Sequence, residues 1–219
     1  MAEGKLLLGT RRYSSWSLRG WLAVRLAGLD VEEEVIPLYV GPTAEVKRRS
    51  PSGKVPVLEH RGATLWESLA IAEYCAEIAP ALWPRARTDR ATARSLASEM
   101  HAGFPGLRQA MPMSLFRDAS GAGRTPEALA DIARIDALWS AALATHGGPF
   151  LFGPTMGNAD VMFAPVVARF LTYRPELSPA AAAYCTAVRA HPLMERWYAL
   201  AAEEPSSWYL AEYEAPAAK

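Results

Sequence analysis

The chain has 219 residues, 51% hydrophobic and 21% charged, which is ordinary globular composition with room for one large domain or two small ones. Its 23 basic and 23 acidic residues cancel, so no net field draws it toward nucleic acid or an anionic membrane. The Leu6-Leu7-Leu8 run after Lys5 is too short for a secretory signal, and no stretch approaches the roughly 20 apolar residues that span a bilayer, so a cytoplasmic location is expected.

Residues 5–8 form a short apolar run that predicts a buried strand. Residues 17–27 carry Leu18, Trp21, Leu22 and Leu26 at near-helical spacing, with Gly28 as a C-terminal stop. Residues 31–38 are β-rich at Val31, Val35 and Ile36. Two strand-like runs follow at 55–58 and 63–66, with Arg61-Gly62 as the hairpin turn. Residues 69–78 return to helix, with Ile71, Tyr74, Cys75 and Ile78 on one face. Residues 80–88 hold Pro80 and Pro84, lack a period and suit a linker.

Beyond that linker the strand signals largely vanish. Residues 89–100 predict a helix. Thr125-Pro126-Glu127 combines a cap, a first-turn proline and an acid at the positive end of the dipole. The helix it opens spaces Leu129, Ile132, Ile135, Leu138, Trp139 and Ala142 by three and four. Ser178-Pro179 and His191-Pro192 open two more, and residues 215–219 look like a frayed tail. Mixed α/β followed by helices argues for two domains in contact. Cys75 and Cys185, both in alanine-rich helical patterns, read as buried free thiols.

Four local features carry or support chemistry. Tyr13-Ser14-Ser15-Trp16-Ser17-Leu18-Arg19 joins the first strand to the first helix. A hydroxyl there faces free backbone N–H groups that favour an anion such as a thiolate, although Ser14, Ser15 or Ser17 can also simply cap the helix. In Ser50-Pro51-Ser52-Gly53-Lys54-Val55-Pro56, Pro56 is either an ordinary strand start or a cis proline that turns the Val55 backbone N–H and C=O outward. Glu67 and Ser68 stand where a strand meets a helix, placed to cap it or to hold a charged amino-acid head group. Asp160, three residues after Gly157, closes a capping box that serves folding. The histidines His60, His101, His146 and His191 have no His or Cys at ligand spacing, so no metal is expected.

In order and spacing these four features resemble the glutathione transferase superfamily, over nearly the whole chain. Val55-Pro56 and Glu67-Ser68-Leu69-Ala70-Ile71, followed by Ala159-Asp160, are its most specific part. Ser14-Ser15-Trp16-Ser17-Leu18-Arg19 looks like the serine motif of zeta-type enzymes, which include maleylacetoacetate isomerases. Trp16 stands where that motif has cysteine, and Gly20-Trp21 also departs from it. Lys54 stands where zeta enzymes usually have Gln, and Gly157 where the cap is usually Ser or Thr.

The resemblance implies a thioredoxin-like α/β domain at residues 1–80, a linker at 81–87 and an all-α domain at 88–219. It implies a detoxifying homodimer with glutathione as co-substrate and a small electrophile as second substrate. Ser14 would donate to the glutathione sulfur, with Ser15 as runner-up. Val55 would pair with the cysteinyl backbone, Glu67 and Ser68 would hold the γ-glutamyl group, and Lys54 would reach a carboxylate. Met100, His101, Phe104, Arg108 and Met111, in a Met-rich series that also includes Met113 and Phe116, would wall the electrophile site. Trp208, Tyr209 and Tyr213 would cover that cleft or pack on the surface.

Two other readings compete: a glutathione-dependent cis–trans isomerase, and a non-catalytic binding module. Zeta isomerases need a cation for a dianionic substrate. Their arginine falls at Thr172 here, flanked by Arg169 and Arg174, so conjugation of apolar electrophiles is expected over isomerisation.

Overall fold

The computed structural model describes residues 2–38 and 43–215, so the expected tail lies outside the described residues from 216 on. Four strands and three helices come first: β1 (Gly4–Gly9), α1 (Ser15–Leu26), β2 (Glu32–Ile36), α2 (Ala44–Arg49), β3 (Val57–His60), β4 (Ala63–Trp66) and α3 (Ser68–Ile78). A 3₁₀ turn at Pro80–Leu82 leads to α4 (Arg87–Ala102), α5 (Pro105–Ala110), α6 (Pro126–His146) and α7 (Asn158–Tyr173). The described chain ends with α8 (Pro179–Arg189), α9 (Pro192–Ala202) and α10 (Ala211–Glu214). The sheet order is β2-β1-β3-β4, with β1 parallel to β2 and the other pairs antiparallel. This is a thioredoxin-like sheet followed by a helical domain, as expected.

Local chemistry explains the boundaries. Arg61 and Gly62 both take positive φ, 48° and 85°, the primed turn that matches the twist of a β3–β4 hairpin. Thr125 and Ser178 cap α6 and α8 by accepting from Ala128 N and Ala181 N at 3.2 Å each. Helices α2, α5 and α10 lack a sequence signal because each is too short to show a period. Two apolar positions expected inside are exposed: Ile78 at the end of α3 and Leu129 in the first turn of α6. Both sit at helix ends, where the buried stripe has run off its partner. Cys75 and Cys185 are free and buried, and burial pushes both thiols up to about 12. Among the described residues no helix is long and apolar enough to cross a membrane.

Helix α7 is the centre of the helical part, buried on every side from Asn158 to Phe170, and it packs on α1, α4 and α8. Asp160 anchors its start. One carboxylate oxygen accepts from Gly157 N at 2.9 Å; the other accepts from Leu151 N and the Tyr184 hydroxyl at 3.0 Å. Burial pushes this carboxyl up to about 6 against the pull of its donors. Glycine at position 157 leaves only this half of the capping box. Asp160→Ala strands two backbone N–H groups and a phenol in the core. We expect urea unfolding to show a loss of about 3 kcal/mol or more; a loss within experimental error would mean these bonds contribute nothing net.

Candidate active site

The loop after β1 turns sharply into α1, held by the Thr10 hydroxyl, which accepts from Leu38 N at 2.8 Å. Ser14 is the N-cap of α1, and its Oγ accepts from Ser17 N at 3.2 Å. It also donates to Ser17 Oγ at 2.8 Å, which in turn accepts from Gly9 N at 2.9 Å. Ser15 begins the helix, and its hydroxyl makes no hydrogen bond among the described residues. The first turn of α1 holds no acid, so the positive end of its dipole is uncompensated.

The second wall is the loop before β3. Ser50 Oγ ties both ends of Lys54, donating to its carbonyl at 2.5 Å and accepting from its N–H at 3.1 Å. The Val55–Pro56 bond is cis, and strand pairing begins only at Val57. Among the described residues neither Val55 N nor Val55 O has a hydrogen-bond partner. A Cβ at Gly20 would lie 2.7 Å from the Pro56 ring, so glycine in α1 is what lets this loop approach the helix. That accounts for one departure from the zeta-type motif.

The third wall is the start of α3. Glu67 holds φ 68°, ψ 123° at the N-cap and makes no side-chain cap bond. Ser68 is fully buried and its Oγ has no partner among the described residues. The first turn of α3, like that of α1, contains no acid. From the helical side α4 contributes His101, whose Nε2 lies 3.7 Å from Glu67 Oε2. Burial, then Arg19, hold the His101 ring below its usual range, so it is neutral at pH 7.

These walls enclose a cleft of about 600 Å³. It brings together Ser14, Ser15, Lys54, Val55, Glu67, Ser68 and His101, all picked out from the sequence. Four expected residues are absent from it. Met100 and Met111 are fully buried, and Phe104 is nearly so, because α4 and α5 turn these side chains into the core. Arg108 donates to the carbonyls of Met100, His101 and Gly103 and so closes the C-terminal end of α4. The apolar wall instead comes from Tyr13, Trp16, Leu38, Val46 and Ala102. Trp16 was visible in the sequence only as a departure from a motif, and Val46 sits on the unexpected α2. Tyr13 donates to Glu214 and packs against Tyr213, while Tyr209 covers the Arg12 guanidinium at 3.9 Å, so the C-terminal segment closes the loop's outer side. A second cleft of similar volume, beside α6, presents Asp136 already bonded to Ser178.

Comparison with known proteins agrees with this geometry. Residues 13–78 match the family model for the glutathione S-transferase N-terminal domain, and residues 117–201 match that for the C-terminal domain. The chain is 28% identical over 187 residues to a maleylacetoacetate isomerase of Rattus norvegicus, covering 82% of this chain and 84% of that protein. It is 31% identical over 162 residues to glutathione S-transferase U16 of Arabidopsis thaliana, covering 71% of this chain and 67% of that protein. Among solved structures, a theta class glutathione S-transferase from Xanthomonas axonopodis pv. citri with glutathione bound superposes with a TM-score of 0.66 at 26% identity, over 90% of this chain and 97% of that one.

Proposed function

The chain belongs to the glutathione transferase superfamily, and from that premise we propose that it adds the glutathione thiolate to a small apolar electrophile in the cleft beside Ser14, Ser15 and Trp16. It is a glutathione transferase with glutathione as co-substrate. The observation that carries the site reading is the convergence of polar groups unpaired among the described residues on one cleft: Val55 N and O, Ser68 Oγ, and the acid-free first turns of α1 and α3. An extended peptide with a charged head group answers each of them. Val55 pairs with the cysteinyl backbone. Ser68 and the first turn of α3 take the γ-glutamyl carboxylate, Glu67 takes its ammonium, and Lys54 takes a carboxylate at the other end.

The thiol then falls at the start of α1. Ser14 gives its hydrogen to Ser17 in the unliganded arrangement. Ser17 Oγ accepts two bonds and donates none among the described residues, so its own hydrogen can turn toward Ser14. That reversal frees the Ser14 hydrogen for the sulfur. A free thiol ionises near ~8.5, and a hydroxyl donor with a helix terminus lowers this by about one to two pH units. Ser14→Ala should therefore lower kcat by about tenfold or more and leave glutathione affinity nearly unchanged. Full activity in Ser14→Ala with loss in Ser15→Ala would move the role to Ser15; full activity in both would sink the mechanism.

Removing a partner of the head group should act on binding instead. Glu67→Ala and Ser68→Ala should each weaken glutathione by roughly 1.5–3 kcal/mol in calorimetry, the range for a charge-assisted hydrogen bond. Unchanged affinity in both would remove these residues from the site.

The placement of cations favours conjugation over isomerisation. Lys54 is the one Lys or Arg lining the cleft among the described residues. Thr172 is buried and donates to Ser114 O and Ala168 O; Arg169 is buried on main-chain carbonyls; Arg174 caps α7 and pairs with Asp118 at the surface. None of the three supplies a cation to a dianionic substrate. Turnover of an aryl halide or isothiocyanate with weak or absent maleylacetone isomerisation is the expected pattern; efficient isomerisation that collapses in Arg169→Ala or Arg174→Ala would reverse it.

We further propose a cytoplasmic homodimer, divided into residues 1–80, a linker at 81–87 and residues 88–219. Exposed Trp66 on the edge strand β4 and exposed Ile78 on α3 support the association, and the two free thiols suit a reducing compartment. Sedimentation at micromolar concentration should give twice the 23.8 kDa chain mass, and a monomer there would contradict the dimer.

A further inference from the structure

Arg19 and Arg169 are buried and Arg108 is half-buried, and no carboxylate lies within ion-pairing distance of the three among the described residues. Arg19 of α1 is fully buried. Its Nε donates to Met162 O at 2.9 Å, while both terminal nitrogens are buried without a partner among the described residues. Arg108 of α5 donates to the last carbonyls of α4, and Arg169 of α7 to Met111 O at 2.8 Å and Pro165 O at 3.1 Å. Backbone carbonyls offset part of these charges, but no opposite unit charge cancels them. Burial, then the neighbouring Arg108 and Arg169, lower Arg19 well below its usual range, and a guanidinium starts so far above neutrality that it keeps its charge at pH 7.

Arg19 stands four residues after Ser15 and three after Trp16, so the three share one face of α1. Both guanidiniums lie over the Trp16 ring, Arg19 at 4.7 Å and Arg108 at 5.0 Å from its centroid. Trp16 lines the cleft with Ser14 and Ser15 and meets His101 edge-on at 5.2 Å. Arg19 thus sits behind an apolar plate that separates it from solvent, with half-buried Arg108 against the same ring, where an effective dielectric below that of water lets their field reach the cleft. The other charges facing this region are few. Glu67, nearly half exposed, opposes the field; His101 is neutral; Lys54 adds to it from the far wall. Asp131 lies on the Arg108 side and is bonded to Leu107 N. Tyr13 is tied to Glu214.

We propose that Arg19, shielded from water by Trp16, and Arg108, stacked on the same ring, are positioning residues that hold bound glutathione as thiolate through space. The inference rests on the transferase reading above, with the sulfur at the start of α1. It assigns these two cations to the same developing anion that the helix terminus and the serines serve.

The test is an ultraviolet pH titration of the thiolate in the full chain saturated with glutathione. The wild type should titrate well below the ~8.5 of a free thiol. Arg19→Gln and Arg108→Gln should each raise the midpoint by about one pH unit, with affinity for the neutral thiol form unchanged. Arg19→Lys, which keeps the charge and loses the planar stack, should recover most of the shift. Wild-type midpoints in the Gln variants would overturn the proposal, as would Arg19→Lys behaving like Arg19→Gln. Should Arg19→Gln fail to fold, Arg108→Gln decides alone. A wild type that titrates like free glutathione would instead refute the placement of the sulfur.

Discussion

Everything at the cleft depends on where α1 is held, and α1 is held from two sides. It packs on β1 and α3 within the first domain and on α7 and α9 in the helical one. A helix serving two layers has to be apolar around most of its circumference. Leu18, Trp21, Leu22, Ala23 and Val24 are accordingly all without exposure. The same double packing fixes the helix N-terminus to the precision that a through-space effect on a thiol requires. It also explains how an arginine comes to be fully buried: position 19 lies on the face turned toward α7, where Met162 O accepts from its Nε.

The loop that precedes α1 is tied down by carboxylates rather than by apolar contact. Glu204, after α9, accepts from Arg11 N at 2.6 Å and Arg12 N at 3.3 Å. Burial raises its pKa against the pull of those bonds. Glu33 of β2 gathers Trp21 Nε1, Arg11 and Arg25, and these donors outweigh its burial, holding it below the ordinary glutamate range. Acidic groups are thus used on the outer side of the loop, and none lies in the first turns of α1 or α3. Carboxylates anchor the loop from behind, while the cleft side has the helix dipoles, Glu67 and Lys54, with guanidiniums set behind Trp16.

The long elements were legible because each has a period and a punctuating residue. Thr125, Ser178 and His191 announce their helices, and Arg61-Gly62 announces the hairpin. The glutathione-side residues were legible because the chemistry is local: Lys54 with Val55, and Glu67 with Ser68, are neighbours in sequence as in space. The electrophile side was not, because it depends on the rotation of a helix. Met100 and His101 are adjacent in α4, and only packing against α7 decides that the methionine goes inward and the histidine faces the cleft. Helical periodicity places residues on a face but does not say which face meets a cleft and which a core. The arginine cluster was hidden for a related reason. Arg19, Arg108 and Arg169 come from three helices far apart in sequence, and a balanced total charge says nothing about where cations gather.

The unpaired groups of the cleft are best understood as binding energy held in reserve. A buried hydroxyl or amide without a partner destabilises a fold by about 1–3 kcal/mol. Ser68 Oγ has no partner among the described residues, while around Asp160 a buried carboxylate is satisfied by three donors. A ligand that supplies the missing partner relieves the penalty on binding, so its affinity exceeds what its contact area provides. The guanidinium of Arg19 carries the same logic one step further. Its terminal nitrogens are buried behind Trp16, out of a ligand's direct reach, so what it can answer is charge and not a hydrogen bond. Neutral thiol relieves nothing there, whereas thiolate does. A site whose reserve is released only by the ionised form favours the reactive species over the bound ground state, and that preference is what a transferase needs from its floor.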